Sequence, residues 1–250
     1  MTEKEMYNVI NEQNQPSSGF AFNEKEQGLT NVFAALMRKV YTWMTLALVI
    51  TGVTAYGVAS SPTLLTTIYG SGFMWGLIIA EFVLVFAISG AINKLSLSTA
   101  TLLFIIYSVI NGATLSSIFV IYEPMVISKV FFITAGTFGA MAFYGYSTKK
   151  DLTSIGKILF MALIGLIIAT VVNMFLKSPG FDYILSYIGV AVFIGLTAWD
   201  SQKIKQMLQV QYDMSEGAQK LALLGALTLY LDFINLFLYL LRIFGGSNRD

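Results

Sequence analysis

GALTLYLDFINLFLYLLRIFG, residues 225 to 245, decides the reading of this chain. It lies in an apolar run, Leu221–Phe244, long enough for the roughly 20 residues that cross a hydrocarbon core. Yet it carries an aspartate, Asp232, near its middle. A carboxylate in hydrocarbon costs about 2.5–3.5 kcal/mol on insertion scales, so such an acid marks a site by default. Read in steps of three and four, Gly225, Thr228, Asp232, Asn235, Tyr239 and Arg242 fall on one helix face. The remaining faces are Leu, Ile and Phe, so this stripe must face protein or water rather than lipid.

Working outward, six more stretches qualify as spans: Val32–Ala59, Gly72–Ile92, Ser98–Tyr122, Val126–Tyr146, Ile155–Leu176 and Tyr183–Lys203. Turn chemistry separates them at Ser60-Ser61-Pro62, Asn93-Lys94, Glu123-Pro124, Lys149-Lys150-Asp151 and Ser178-Pro179-Gly180, and a polar run follows Ser201 as far as Lys220. The fold class expected is all-α, a polytopic membrane protein with seven transmembrane helices. Residues 31–246 form that domain, 1–30 a flexible, polar cytoplasmic tail, and 247–250 a short C-terminal tail.

Composition agrees. The chain is 56% hydrophobic and 12% charged, about half the charge of an average soluble domain. With the N-terminus in the cytoplasm, Lys129, Lys177, Arg242 and Arg249 fall outside, which leaves 11 of the 15 Lys and Arg inside. The positive-inside rule then gives seven spans with the C-terminus outside. A net charge of +1 provides no footprint for nucleic acid. No cysteine means no thiolate chemistry and no zinc–sulfur site; no histidine removes the usual base and the usual switch near neutral pH. Proton sensing falls to carboxylates, and any metal must be a hard, oxygen-loving one.

The sixth span places Ser186, Gly189, Phe193, Thr197 and Asp200 on a similar spacing, and the third adds Tyr107, Asn111 and Thr114. These faces are expected to meet. If Asp200 and Asp232 touch, they cannot both ionise freely, and they titrate in coupled steps. One shared proton gives a tolerable closed state; ionising both separates the helices or recruits a cation. The alternative, a structural aspartate satisfied by Asn235 or Thr228, stays open. Glu81, in GLIIAEFVLVF, is a third acid among apolar neighbours and needs a partner from another helix, with Arg38, Lys94 or a tyrosine available.

The run Gly225–Gly245 closely resembles the signature of the Bax inhibitor-1, or transmembrane Bax inhibitor motif, family. IYSVINGATLS in the third span, AWDSQKI around Asp200 and the glutamate at 81 resemble further family elements, and the likeness covers about residues 30 to 245. It implies a bacterial member with six helices around a central seventh. It also implies a pH-sensitive calcium leak in which Asp200 and Asp232 are the proton-sensing, gating pair. Glu81, Tyr107, Asn111, Thr228 and Asn235 are then the supporting polar stripe or ion path. The family's arginines after the second span are replaced here by AINKLSL, which leaves Lys94 or Arg38 as the candidate latch; lysine lacks the bidentate fork of arginine.

The expected setting is the bacterial inner membrane, with the lipid bilayer and calcium ions as partners, calcium bound weakly and transiently at Asp200 and Asp232, and no resident cofactor. An alternative is a regulatory protein without ion flux that binds and modulates a membrane protease or another membrane partner. An intramembrane aspartyl protease is disfavoured, because the glycine and Pro-Ala-Leu elements such enzymes resemble are missing; no enzymatic activity is expected.

Overall fold

The computed structural model describes residues 2, 4–6 and 18–245, with backbone only for 18–26. The rest of the expected N-terminal tail and the C-terminal tail 247–250 lie outside the described residues. Nine helices follow from Ser18 onward: α1 (Ser18–Ala59), α2 (Pro62–Gly70), α3 (Phe73–Ala91), α4 (Leu97–Leu115), α5 (Ile118–Ile121), α6 (Pro124–Ser147), α7 (Thr153–Leu176), α8 (Pro179–Gln209) and α9 (Glu216–Gly245). Among the described residues, seven segments are long and apolar enough to cross a membrane, the third being α4 continued by α5. No strand occurs among them.

Caps set the helix starts. Ser61, Ser96 and Ser178 each accept a hydrogen bond from the backbone N–H three residues on, and prolines occupy the first turns of α2, α6 and α8. A capping hydroxyl there satisfies an otherwise orphaned donor, and proline loses nothing where no N–H partner exists. Gly72, at φ 75°, turns α2 into α3 in the left-handed region that suits glycine.

Three boundaries differ from the sequence reading. Helix α1 begins at Ser18, within the segment read as a tail. The polar run after Ser201 is mostly helical: α8 continues to Gln209 and α9 restarts at Glu216, because Ile204 and Leu208 are buried on the core side of an amphipathic stretch. The third span breaks at Ser116-Ser117. There the Tyr69 hydroxyl, from α2, donates to the Thr114 carbonyl at 2.8 Å and accepts from the Ser117 N–H at 3.0 Å. Broken backbone at membrane depth needs such partners.

Helix α9 is the most enclosed span. In its most apolar 18-residue window 67% is buried, against 6% for α3 and 11% for α7. Its main packing partners are α8, α1, α6 and α4. Helix α3 packs chiefly on α4, and α7 on α8. The arrangement is thus an inner layer of four helices about α9 with α3 and α7 applied to its outside.

Candidate functional site

The α8–α9 contact sets the geometry of the two aspartates. A Cβ on Gly225 would lie 3.1 Å from Ile204, and one on Gly189 would lie 2.7 Å from the Tyr239 ring. Both pairs belong to one antiparallel register, which sets Asp200 level with Thr228 and Leu229. Asp232 is then one helical turn away, about 5–6 Å along the axis.

Both side chains are buried, Asp200 at 8% exposure and Asp232 at 5%. Asp200 is the acid that acts electrostatically on Asp232, while Lys203 acts on Asp200. The Lys203 ammonium itself sits 5.2 Å over the Trp199 ring. Among the described residues Asp232 Oδ2 is buried with no hydrogen-bond partner, and so is Ser201 Oγ beside Asp200. Among the described residues no salt bridge reaches either aspartate. Arg38 and Lys94, the candidate latch residues, are both exposed.

The expected helpers on α9 turn inward on their own helix. Thr228 Oγ1 donates to the Leu224 carbonyl at 3.1 Å, and Asn235 Nδ2 donates to the Leu231 carbonyl at 2.8 Å. Stapling of Asp232 through these two residues is therefore not what the geometry displays.

Helix α6 closes the other side. A Cβ on Gly145 would stand 2.0 Å from the Ala198 carbonyl oxygen, so the two backbones touch two residues from Asp200. Glycine permits that approach. Below it, Gln202 Nε2 donates to the Lys150 carbonyl at 2.7 Å, and its Oε1 accepts from the Leu152 N–H at 2.8 Å. Lys205 Nζ donates to the Tyr146 carbonyl at 2.8 Å. These bonds tie the end of α6 and the α6–α7 loop to α8 just beyond the aspartate.

The third-span face does not join the pair. Tyr230, two positions before Asp232 and so roughly 200° around the helix, is fully buried. Its hydroxyl donates to Asn111 Oδ1 at 2.9 Å and pairs with Thr51 Oγ1 at 2.7 Å. Tyr107 packs edge-on against its ring at 5.8 Å. Glu81 Oε1 accepts from Thr114 Oγ1 at 2.6 Å. Among the described residues the partner of Glu81 is thus a threonine of α4, not a cation. The last helix carries two polar devices on opposite faces: Asp232 toward α8, and Tyr230 toward α4 and α1.

Sequence reasoning passed over Tyr230, Thr51, Tyr69, Gln202 and Lys205. Tyr230 reads as one apolar-face residue among many; the others lie in segments whose neighbours only the fold supplies. Among the described residues no group of three or more acidic side chains gathers where it would hold a metal. The pair supplies only part of the six to eight oxygens that calcium takes.

The protein family described as "Inhibitor of apoptosis-promoting Bax1" matches residues 33–249. The inner membrane protein YbhL of Escherichia coli strain K12 is 50% identical over 212 residues, 84% of this chain and 91% of that protein. An uncharacterized protein of Borreliella burgdorferi is 46% identical over 215 residues, 86% of this chain and 93% of its own. An uncharacterized membrane protein of Streptococcus pyogenes serotype M6 is 42% identical over 174 residues, 70% of this chain and 75% of its own. With seven apolar spans and a match over most of its length, the chain belongs to this Bax inhibitor family of membrane proteins.

Proposed function

We propose that this protein is a pH-sensitive calcium leak of the bacterial inner membrane, gated by Asp200 and Asp232. The observation that carries the reading is the buried Oδ2 of Asp232 one turn from Asp200, with no hydrogen-bond partner there and no ion pair at either acid among the described residues. One proton shared between the carboxyls satisfies that oxygen and holds α8 against α9. Ionising both sets up repulsion in a low-dielectric site, which opens the contact or draws in a cation. Two carboxylates with carbonyl and water ligands bind calcium weakly, which suits passage rather than storage. The 50% identity to an inner membrane protein supports the location, and the excess of Lys and Arg at one end supports a cytoplasmic N-terminus.

The test is calcium entry into dye-loaded proteoliposomes across a pH series. The expected result is flux that rises as the pair ionises, with that dependence flattened in Asp200→Asn and Asp232→Asn. Identical profiles for both variants and the native chain would sink the gating role. Absence of flux in the native chain, together with capture of a membrane protein partner, would favour the regulatory alternative.

A further inference from the structure

A second polar site lies at the opposite end of α9, away from the aspartate pair. A cleft of about 200 Å³ opens between the end of α9, the first two turns of α8 and Tyr122. Asp182, Tyr183, Ser186 and Arg242 line it. The proposed gate uses none of these groups.

Arg242 is the unusual member. Its closest carboxylate oxygen is Asp182 Oδ1 at 3.9 Å, too far for a hydrogen bond. Its guanidinium carbon stands 5.4 Å over the Tyr239 ring. Among the described residues the guanidinium makes no hydrogen bond, so its fork of donors, suited to phosphate, is unspent. Asp182 is similarly under-used: Oδ1 accepts one long bond, 3.3 Å, from Asn173 Nδ2. Both side chains are partly exposed, at 39% and 49%.

Depth narrows the ligand. Arg242 lies 26 residues beyond Glu216, about 39 Å along the helix. The hydrocarbon core is about 30 Å thick, so the cleft falls in the headgroup layer. Exposed Ile184, Tyr187 and Phe244 lie near it in sequence and present apolar surface to acyl chains.

Charge narrows it further. Arginine alone would accept any anion, but a purely anionic group would also face Asp182. A group carrying both a phosphate and a primary ammonium meets each charge with its opposite. We propose that this cleft binds a phosphoethanolamine headgroup, phosphate on Arg242 and ammonium on Asp182, as part of a membrane phospholipid. A quaternary ammonium cannot donate a hydrogen bond to Asp182 and binds less well.

The test is native mass spectrometry of the full chain in detergent, with phosphatidylethanolamine, phosphatidylglycerol or phosphatidylcholine of matched acyl chains. Retention of phosphatidylethanolamine should exceed the other two by about fivefold, the scale of one or two partly exposed charge pairs. Arg242→Gln should lower it to the level of the others, with Arg242→Lys intermediate. Asp182→Asn should abolish the preference over phosphatidylcholine by lowering phosphatidylethanolamine retention about fivefold while leaving phosphatidylglycerol retention at or above its native level, a readout that a folding defect does not mimic. Equal retention of all three lipids, or native retention in Arg242→Gln, would overturn the proposal. So would displacement of the lipid by millimolar inorganic phosphate, which would assign the cleft to a free anion.

Discussion

Replacing Gly145 by alanine places a methyl 2.0 Å from the Ala198 carbonyl oxygen, where real Cβ contacts stay beyond 3.0 Å. Helices α6 and α8 must therefore part by at least 1.0 Å, the difference of those distances. Overpacking of this kind destabilises by about 1–3 kcal/mol, a Tm loss of roughly 2–12 °C for a chain of this size. The crossing lies two residues from Asp200, so the displacement also changes how strongly the two acids feel each other. For unit charges one helical turn apart, about 5.5 Å, at an effective dielectric near 20, one further ångström removes about 0.5 kcal/mol of repulsion, or roughly 0.3 pH units. Weaker repulsion makes the second ionisation easier, so the calcium-flux profile of Gly145→Ala should move toward lower pH by about that amount. Proteoliposome flux across pH, beside thermal melting in detergent, measures both quantities. Gly112→Ala is the control: its Cβ would lie 2.6 Å from the Thr51 carbonyl oxygen, at the α4–α1 crossing on the other side of α9. It should lower Tm similarly and leave the pH profile in place. If Gly112→Ala shifts the profile as much as Gly145→Ala, or if Gly145→Ala melts lower with no shift, the coupling of that crossing to the pair is refuted.

Tyr230→Phe removes a buried hydroxyl bonded to Thr51 and Asn111. It should cost about 1–2 kcal/mol by thermal melting while keeping the pH response of flux, since the hydroxyl and Asp232 occupy opposite faces. Asp151 and Asp213, in loops outside the spans, are held below the usual carboxylate range by Thr153 and Ser215, whose side chains and N–H groups hydrogen-bond to them. Their stabilising contribution is complete above the ordinary carboxylate range and is lost as pH falls through the lowered values. Carboxyl-carbon NMR titration should place both midpoints below that of a free aspartate, and Asp151→Asn should leave the flux profile unmoved.

Much of the architecture was legible because lipid is a severe filter. Seven apolar runs of spanning length, with charges confined between them, leave few folds other than a helical bundle. Asp200 and Asp232 stood out for the same reason, since a carboxyl in hydrocarbon must have a purpose or a partner. What reads poorly along a chain is which faces meet. Asn111 and Thr114 have the spacing of a polar stripe, and so does Asp232, but spacing does not say on which side of α9 each stripe lands. Packing sent the α4 stripe to Tyr230 and Glu81 and left the aspartate pair to α8 and α6.

Local chemistry along the sequence determined the membrane class, the spans, the serine-capped starts and the identity of the two buried acids, because each depends on residues a few positions apart. The tertiary structure alone decided that Asp200 lies one turn from Asp232, that Gly145 admits α6 against Ala198, and that Arg242 lines a cleft with its donors unspent among the described residues. Those facts depend on crossings between helices distant in sequence, where the absence of a single Cβ sets how near two backbones come.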